Sequence, residues 1–447
     1  MKKFISEFKI LLDGFIHSSA NEKFKLNLLI SIPFWIASAL AGLIAVLYAK
    51  LFNFGEELFQ FLLKNTGYWL FLISPTCFVL SWYIVNKYSK FARGSGIPQV
   101  MASLDVFSKK NLISQFLSLR IIFIKILSSI IHTIGGGAIG REGPTIQISA
   151  AIFHKINSIL PKSWPKINNR NMLITGAAAG LAAAFNTPLG GIVFTVEELT
   201  KVHISQFRSA LFIAVIIAGL TAQAILGPYL YLGYPAADSG SILGFFLIIL
   251  TAAVAGVFAS YSCKGILGLF NWKEKNLKKD WHHILYLSLL GCAFVTMGIF
   301  IESTIFGSGK ELMNEYLFAN EKFKTWFTPI LRIIGPILSF SSGTSGGIFA
   351  PALAAGASVG SIFSEIFNLS AEQGNMLILV GMVAFLTGVT RTPFTSAILV
   401  IEMTDLQNMI FQFMIAGVVA NLVSMSIDKH SFYDHLKVRY LKEIESN

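Results

Sequence analysis

Two carboxylates lie where a carboxylate is costly. Glu142 stands in GGGAIGREGPTIQ (135–147), directly after the apolar run IIFIKILSSIIHTI (121–134). Glu198 stands beside Glu197, directly after GGIVFTV (190–196). An ionisable side chain held among apolar segments is a functional hypothesis by default, and the chemistry open to a carboxyl group there is to take up and release a proton. The stretches around Glu142 offer a second chemistry. GSGIP (94–98), GREGP (140–144) and GGIFAP (346–351) each place a glycine turn before a proline. Proline suits the first turn of a helix and glycine lets the preceding backbone turn sharply, so each reads as a helix N-terminus at membrane depth. Such an end presents unpaired N–H groups and the positive end of the helix dipole, and three that converge make an anion site. Backbone of this kind is tolerated in a bilayer only where protein buries it or it lines a cavity.

Within that site Ser95 adds a hydroxyl donor, and the amides of Ile348 and Phe349 face the ion without a full positive charge, which leaves the ion free to depart. A fourth stretch, HSFYDHL (430–436), carries Tyr433. Ionised Glu142 and a chloride-like ion compete for the same amides, so protonation releases the side chain and opens the site. Arg141 reads as a structural partner or a snorkelling cation. Neighbours on a helix point about 100° apart, so at most one of Glu197 and Glu198 faces an inward route.

These residues need elements to hold them, and composition says what kind. Of 447 residues, 54% are hydrophobic and 13% charged, and the mean hydropathy is +0.65. The expectation is an all-α polytopic membrane protein. Segments long and apolar enough to span lie near 28–49, 68–85, 112–134, 172–196, 208–226, 242–262, 284–301, 347–367, 376–401 and 409–426, several of them broken by Gly and Pro. The net charge of +11 comes largely from loops such as NKYSKFARGS and NWKEKNLKKDW, a positive-inside pattern that excludes a nucleic-acid role. Cys77, Cys263 and Cys292 share no CxxC spacing and read as reduced packing residues; the histidines form no ligand cluster, and no metal or cofactor is expected. Residues 1–27 form an amphipathic or cytoplasmic segment, spaced by Phe4, Phe8, Leu11, Leu12 and Phe15, with no removable signal peptide expected.

The chain also aligns with itself. GAAAGLAAAFNTPLGGIVFTVEEL (176–199) matches GMVAFLTGVTRTPFTSAILVIEM (381–403), pairing Thr187 with Thr392, Pro188 with Pro393 and Glu197 with Glu402, while Pro144 pairs with Pro351. The expected organisation is a first membrane repeat over 28–226, a second over 227–430, and a C-terminal segment, 431–447, carrying Tyr433. Paired, Pro/Gly-broken segments in two halves point to transporter architecture. Glu197 has a counterpart in Glu402 and so reads as structural, in capping or loop bonding. Glu198 faces Met403, breaks the symmetry, and becomes the proton-relay candidate.

GSGIP, GREGPTIQ, GGIFAP, AAAGLAAAFNTPLGGIVF and the late Tyr433 resemble, in order, the motifs of the CLC family of chloride channels and chloride/proton antiporters, over roughly residues 28–440. The resemblance implies two inverted repeats with broken helices meeting at a central anion site, in a homodimer with one ion path per subunit in a cell membrane, bacterial inner membrane by type. It assigns Ser95, Ile348, Phe349 and Tyr433 to chloride, Glu142 to the external gate and proton acceptor, and Glu198 to the internal proton relay. Family channels usually carry an apolar residue where Glu198 stands, so exchange is expected over passive conduction. Ser95 favours chloride over nitrate, and keeping both Ser95 and Tyr433 departs from fluoride-selective relatives. Many bacterial antiporters follow GSGIP with acidic residues; here Gln99 and Met101 follow, which alters the surroundings of Lys125 and Glu198. No paired nucleotide-sensing domains are expected after the last apolar segment. A membrane-embedded enzyme using Glu142 as acid or base would need a catalytic partner, and HExxH and Cys/His clusters are missing from the sequence.

Overall fold

The computed structural model describes residues 22–107, 110–200, 208–227, 230–238 and 242–445. Most of the proposed amphipathic segment, including Phe4 to Phe15, lies outside them. The described residues fold as helices, with two isolated backbone bridges in place of any strand. Nine of the helical stretches are long and apolar enough to cross a membrane.

The first half begins with α1 (Glu22–Asn65) and α2 (Leu70–Tyr88). Short α3 (Ile97–Asp105) and α4 (Lys110–Phe116) follow, then α5 (Leu119–Ile134), α6 (Glu142–Ile159), α7 (Asn169–Phe185), α8 (Pro188–Phe194) and α9 (Arg208–Leu226). The second half runs through α10 (Ile242–Asn276), α11 (Asp280–Phe300), α12 (Lys310–Phe318), α13 (Thr328–Ser341) and α14 (Phe349–Ile366). It closes with α15 (Ala371–Thr390), α16 (Pro393–Thr404), α17 (Ile410–Ile427) and α18 (Phe432–Glu445).

Two sequence boundaries shift for a physical reason. The apolar stretches 172–196 and 376–401 are each two helices, because a residue with positive φ (Asn186 at 58°, Arg391 at 64°) ends the first and a proline at the first position starts the next. The segment expected over 28–49 continues to Asn65, since LFNFGEELFQFLLKN keeps enough apolar residues to prolong the helix past the membrane's thickness.

The repeat read from sequence extends to the backbone. Thr187 and Thr392, just before α8 and α16, adopt nearly the same conformation (φ −124°, ψ 81° and φ −120°, ψ 78°), as do Arg141 and Ile348 before α6 and α14 (φ −101°, ψ −12° and φ −98°, ψ −7°). The two halves also cap each other. Proline at the first position of α8 and α16 has no N–H, so the next two amides are the ones left unpaired. Glu402 accepts from Leu189 (3.0 Å) and Gly190 (2.6 Å), while Glu197 accepts from Phe394 (3.2 Å) and from the Thr395 amide and hydroxyl (both 2.7 Å). The capping role read for Glu197 from its pairing with Glu402 is met in both directions.

Small residues let the inner helices approach. Gly356 on α14 and Gly381 on α15 each face the other's carbonyl so closely that a methyl group on either would run into it. Close backbone approach of this kind, through small side chains, is how helices pack when lipid supplies no hydrophobic driving force.

Candidate functional site

The loops before α3, α6 and α14 are stitched together by backbone hydrogen bonds. Gly94 donates to Thr344 (2.7 Å) and accepts from Gly346 (3.2 Å); Gly140 and Gly347 exchange both bonds, at 2.7 and 2.6 Å. Lys125, wholly buried, donates its Nζ to the Gly94 carbonyl at 2.8 Å, so the ammonium fixes this junction. Gln99 donates to the carbonyls of Phe91 (3.2 Å) and Arg93 (2.6 Å). This amide ties down a loop that a carboxylate, having no donor, would repel. Three helix N-termini brought together this way place their free N–H groups around one volume.

The sequence-derived residues meet there. Glu142 begins α6 and is 1% exposed; its carboxylate is turned back against its own backbone N–H and that of Ala350 in the first turn of α14. Ser95 and Tyr433 are buried, and their hydroxyls face one another without making a well-formed hydrogen bond. Tyr433, in the first turn of α18, stacks on Phe349 with ring centroids 6.4 Å apart and 14° between planes. Phe349 also packs on Phe185 and Phe194, so the far wall of the site is aromatic. Gly143 is what lets α3 and α6 meet: a Cβ on it would collide with the Ser95 hydroxyl and stand 2.9 Å from the Ser95 carbonyl.

Glu198 lies on a π-helical turn, Thr195–Thr200, that continues α8. The wider turn divides the two neighbours: Glu197 reaches α16, while Glu198 is 4% exposed and interacts electrostatically with Tyr433, which also feels Glu142. Tyr433 therefore stands in the field of both carboxylates. Arg141 does not snorkel. It is 6% exposed, and its guanidinium interacts with Glu142 and with Glu56, a carboxylate the sequence reading passed over. The signal lies in Glu56 and Glu57, adjacent acids in a largely apolar run that continues past residue 49 to Asn65.

Apolar helices that cross the membrane, broken helices paired between two halves, and helix N-termini closing on a buried carboxylate define a multi-pass helical membrane protein built around a central ion-type site. Residues 77–425 match the family described as voltage gated chloride channel, and the chain belongs to that family. It is 30% identical over 432 residues to the H(+)/Cl(−) exchange transporter ClcA of Vibrio campbellii (strain ATCC BAA-1116), covering 91% of this chain and 88% of that one. Its fold is similar to that of a slow cyanobacterial Cl−/H+ antiporter, with a TM-score of 0.77 and 24% identity over 93% of this chain and 98% of the other. A CLC-type fluoride/proton antiporter has a TM-score of 0.75 with 21% identity over the same shares of the two chains.

Proposed function

We propose that this protein exchanges chloride for protons across a cell membrane. The observation that carries the reading is the position of Glu142: a buried carboxylate lying on the N–H groups of two helix starts, where an anion would otherwise bind. Its charge and a chloride ion exclude each other from that place, so each proton taken up lets an anion in. The similarity to a transporter named for H(+)/Cl(−) exchange supports the same reading.

In this scheme Ser95 and Tyr433 donate hydroxyl hydrogens to chloride, and the amides of Ile348 and Phe349 complete its shell without a full positive charge to trap it. Glu142 is the external gate and proton acceptor, and Glu198, on the other side of Tyr433, is the internal relay. Chloride is the substrate and no cofactor takes part. The two repeats span 28–226 and 227–430, and two copies form a homodimer with one ion path each, in the bacterial inner membrane.

The test is purified protein in liposomes with a chloride gradient, no initial pH difference, and a potassium ionophore to set the voltage. Protons moving against their electrochemical gradient establish exchange; chloride flux with no proton movement would mean a passive channel and remove the reading. In the same assay Glu198→Gln is expected to lose proton transport while chloride still crosses, because the amide keeps the size of the side chain but carries no proton. A separate measurement tests the shell. Ser95→Ala removes one neutral donor, worth about 1 kcal/mol, so chloride affinity by calorimetric titration is expected to fall about fivefold.

A further inference from the structure

A cavity of about 410 Å³ opens on the Glu142 side of the bundle, between α1, the end of α5, α12 and the loop before α12. Glu56 lines it, from a position within the membrane-length part of α1. Its Oε1 accepts from the Ser308 amide at 2.9 Å. The neighbouring Gly307 donates to Gly136, at the start of the glycine run that leads into Glu142, at 3.2 Å. Several charges are coupled at this end: Glu56 and Glu142 interact with each other, both interact with Arg141, Lys310 interacts with all three, and Glu311 also acts on Glu56. Glu56 and Glu142 thus act on each other and on the same two cations. Arg141 contributes a buried Nη1 with no hydrogen-bond partner.

We propose that Glu56 is a second proton relay, on the external side, passing protons between the cavity and Glu142. The proposal rests on the exchange reading. In the inward step the Glu56 carboxylic acid gives its proton through cavity water to the Glu142 carboxylate. Glu56 is left ionised and Glu142 neutral, and Glu56 takes its next proton from the external solution; the outward step is the reverse. Two features point to this function. A membrane-embedded acid is costly unless used, and the basic pair beside it keeps both carboxylates within one coupled titration rather than two separate ones. The other charges around Glu56 are Glu57 on its own helix, Glu311 and Glu315 on α12, Lys324, which pairs with Glu315 at 2.5 Å, and Arg332 on α13. Arg332 donates to the carbonyls of Thr304, Phe306 and Gly307, and so holds the loop that Glu56 caps.

A purely structural Glu56 would act only as that cap, and the test separates the two. Glu56→Gln keeps an oxygen for the Ser308 amide and cannot relay a proton. Proton flux in liposomes is expected to fall on the order of tenfold near external pH 8, less than the loss of an essential acid. The difference from wild type should close near pH 5, where protons reach Glu142 unaided. A loss equal at every external pH, or no loss, would overturn the proposal. Lys310→Met keeps it testable should Glu56→Gln fold poorly. Removing the cation makes the pair hold protons more tightly, so the external pH of half-maximal proton flux should rise, and an unshifted profile overturns the coupling. Wild-type protein moving chloride without protons would instead overturn the exchange reading, and the relay with it.

Discussion

Glu142→Gln is expected to reduce proton transport by on the order of 10²-fold or more, the scale of losing an acid–base group, while chloride continues to cross. Glutamine has the shape of protonated glutamate. It can be moved off the amides of α6 and α14 at little electrostatic cost and cannot return as an anion to displace chloride. Three results follow together: chloride flux no longer drives protons, chloride binds more tightly because its competitor is gone, and chloride flux loses its dependence on external pH. In wild-type protein chloride flux should rise as external pH falls, because acid converts Glu142 to the neutral form that glutamine imitates. Paired chloride and pH electrodes on the same liposomes check all three. A variant that still pumps protons uphill would show that the essential proton acceptor lies elsewhere.

The parts of this fold visible in sequence were those with local chemical signatures. Proline after glycine marks a helix start wherever it occurs, so the beginnings of α3, α6 and α14 were readable at Ser95, Glu142 and Phe349. The pairing of Glu197 with Glu402 exposed a shared task, and the unpaired Glu198 a separate one. What stayed hidden depended on contacts between distant segments. That Gly94 and Gly140 bond to Thr344, Gly346 and Gly347 cannot be inferred from any one of those glycines. Lys125 sits on an ordinary apolar helix, and only the fold shows that its ammonium ends on the Gly94 carbonyl. Arg141 was expected to pair or to snorkel because a cation at an anion site would hold the ion too tightly. The structure places it in a charged group with Glu56 and Lys310, which lie on α1 and α12, far apart in the chain and brought together only in three dimensions.

The reciprocal caps set up the largest expected change in stability. Glu197→Ala strands the amides of Phe394 and Thr395, and Glu402→Ala strands those of Leu189 and Gly190. Hydrogen bonds to a charged acceptor contribute about 1.5–3 kcal/mol, and a lost cap typically costs about 1 kcal/mol, so each single variant should lose about 2 kcal/mol. The carboxylates serve different helix ends, which makes near-additivity the expectation and about 4 kcal/mol the loss for the double variant. Thermal unfolding in mild detergent, followed by the fraction that elutes as folded protein, measures it. Equal losses for the two single variants would mean that the two halves rely on the same device. A loss confined to one would mean that the other glutamate is held for a different reason. Crossing this series with the transport assay assigns the two neighbours: Glu197→Ala should lower stability and leave the ratio of protons to chloride intact in the protein that folds, whereas Glu198→Gln should change that ratio with stability unaltered. One π-helical turn would then account for both, by sending one carboxylate across to α16 and the next inward toward Tyr433.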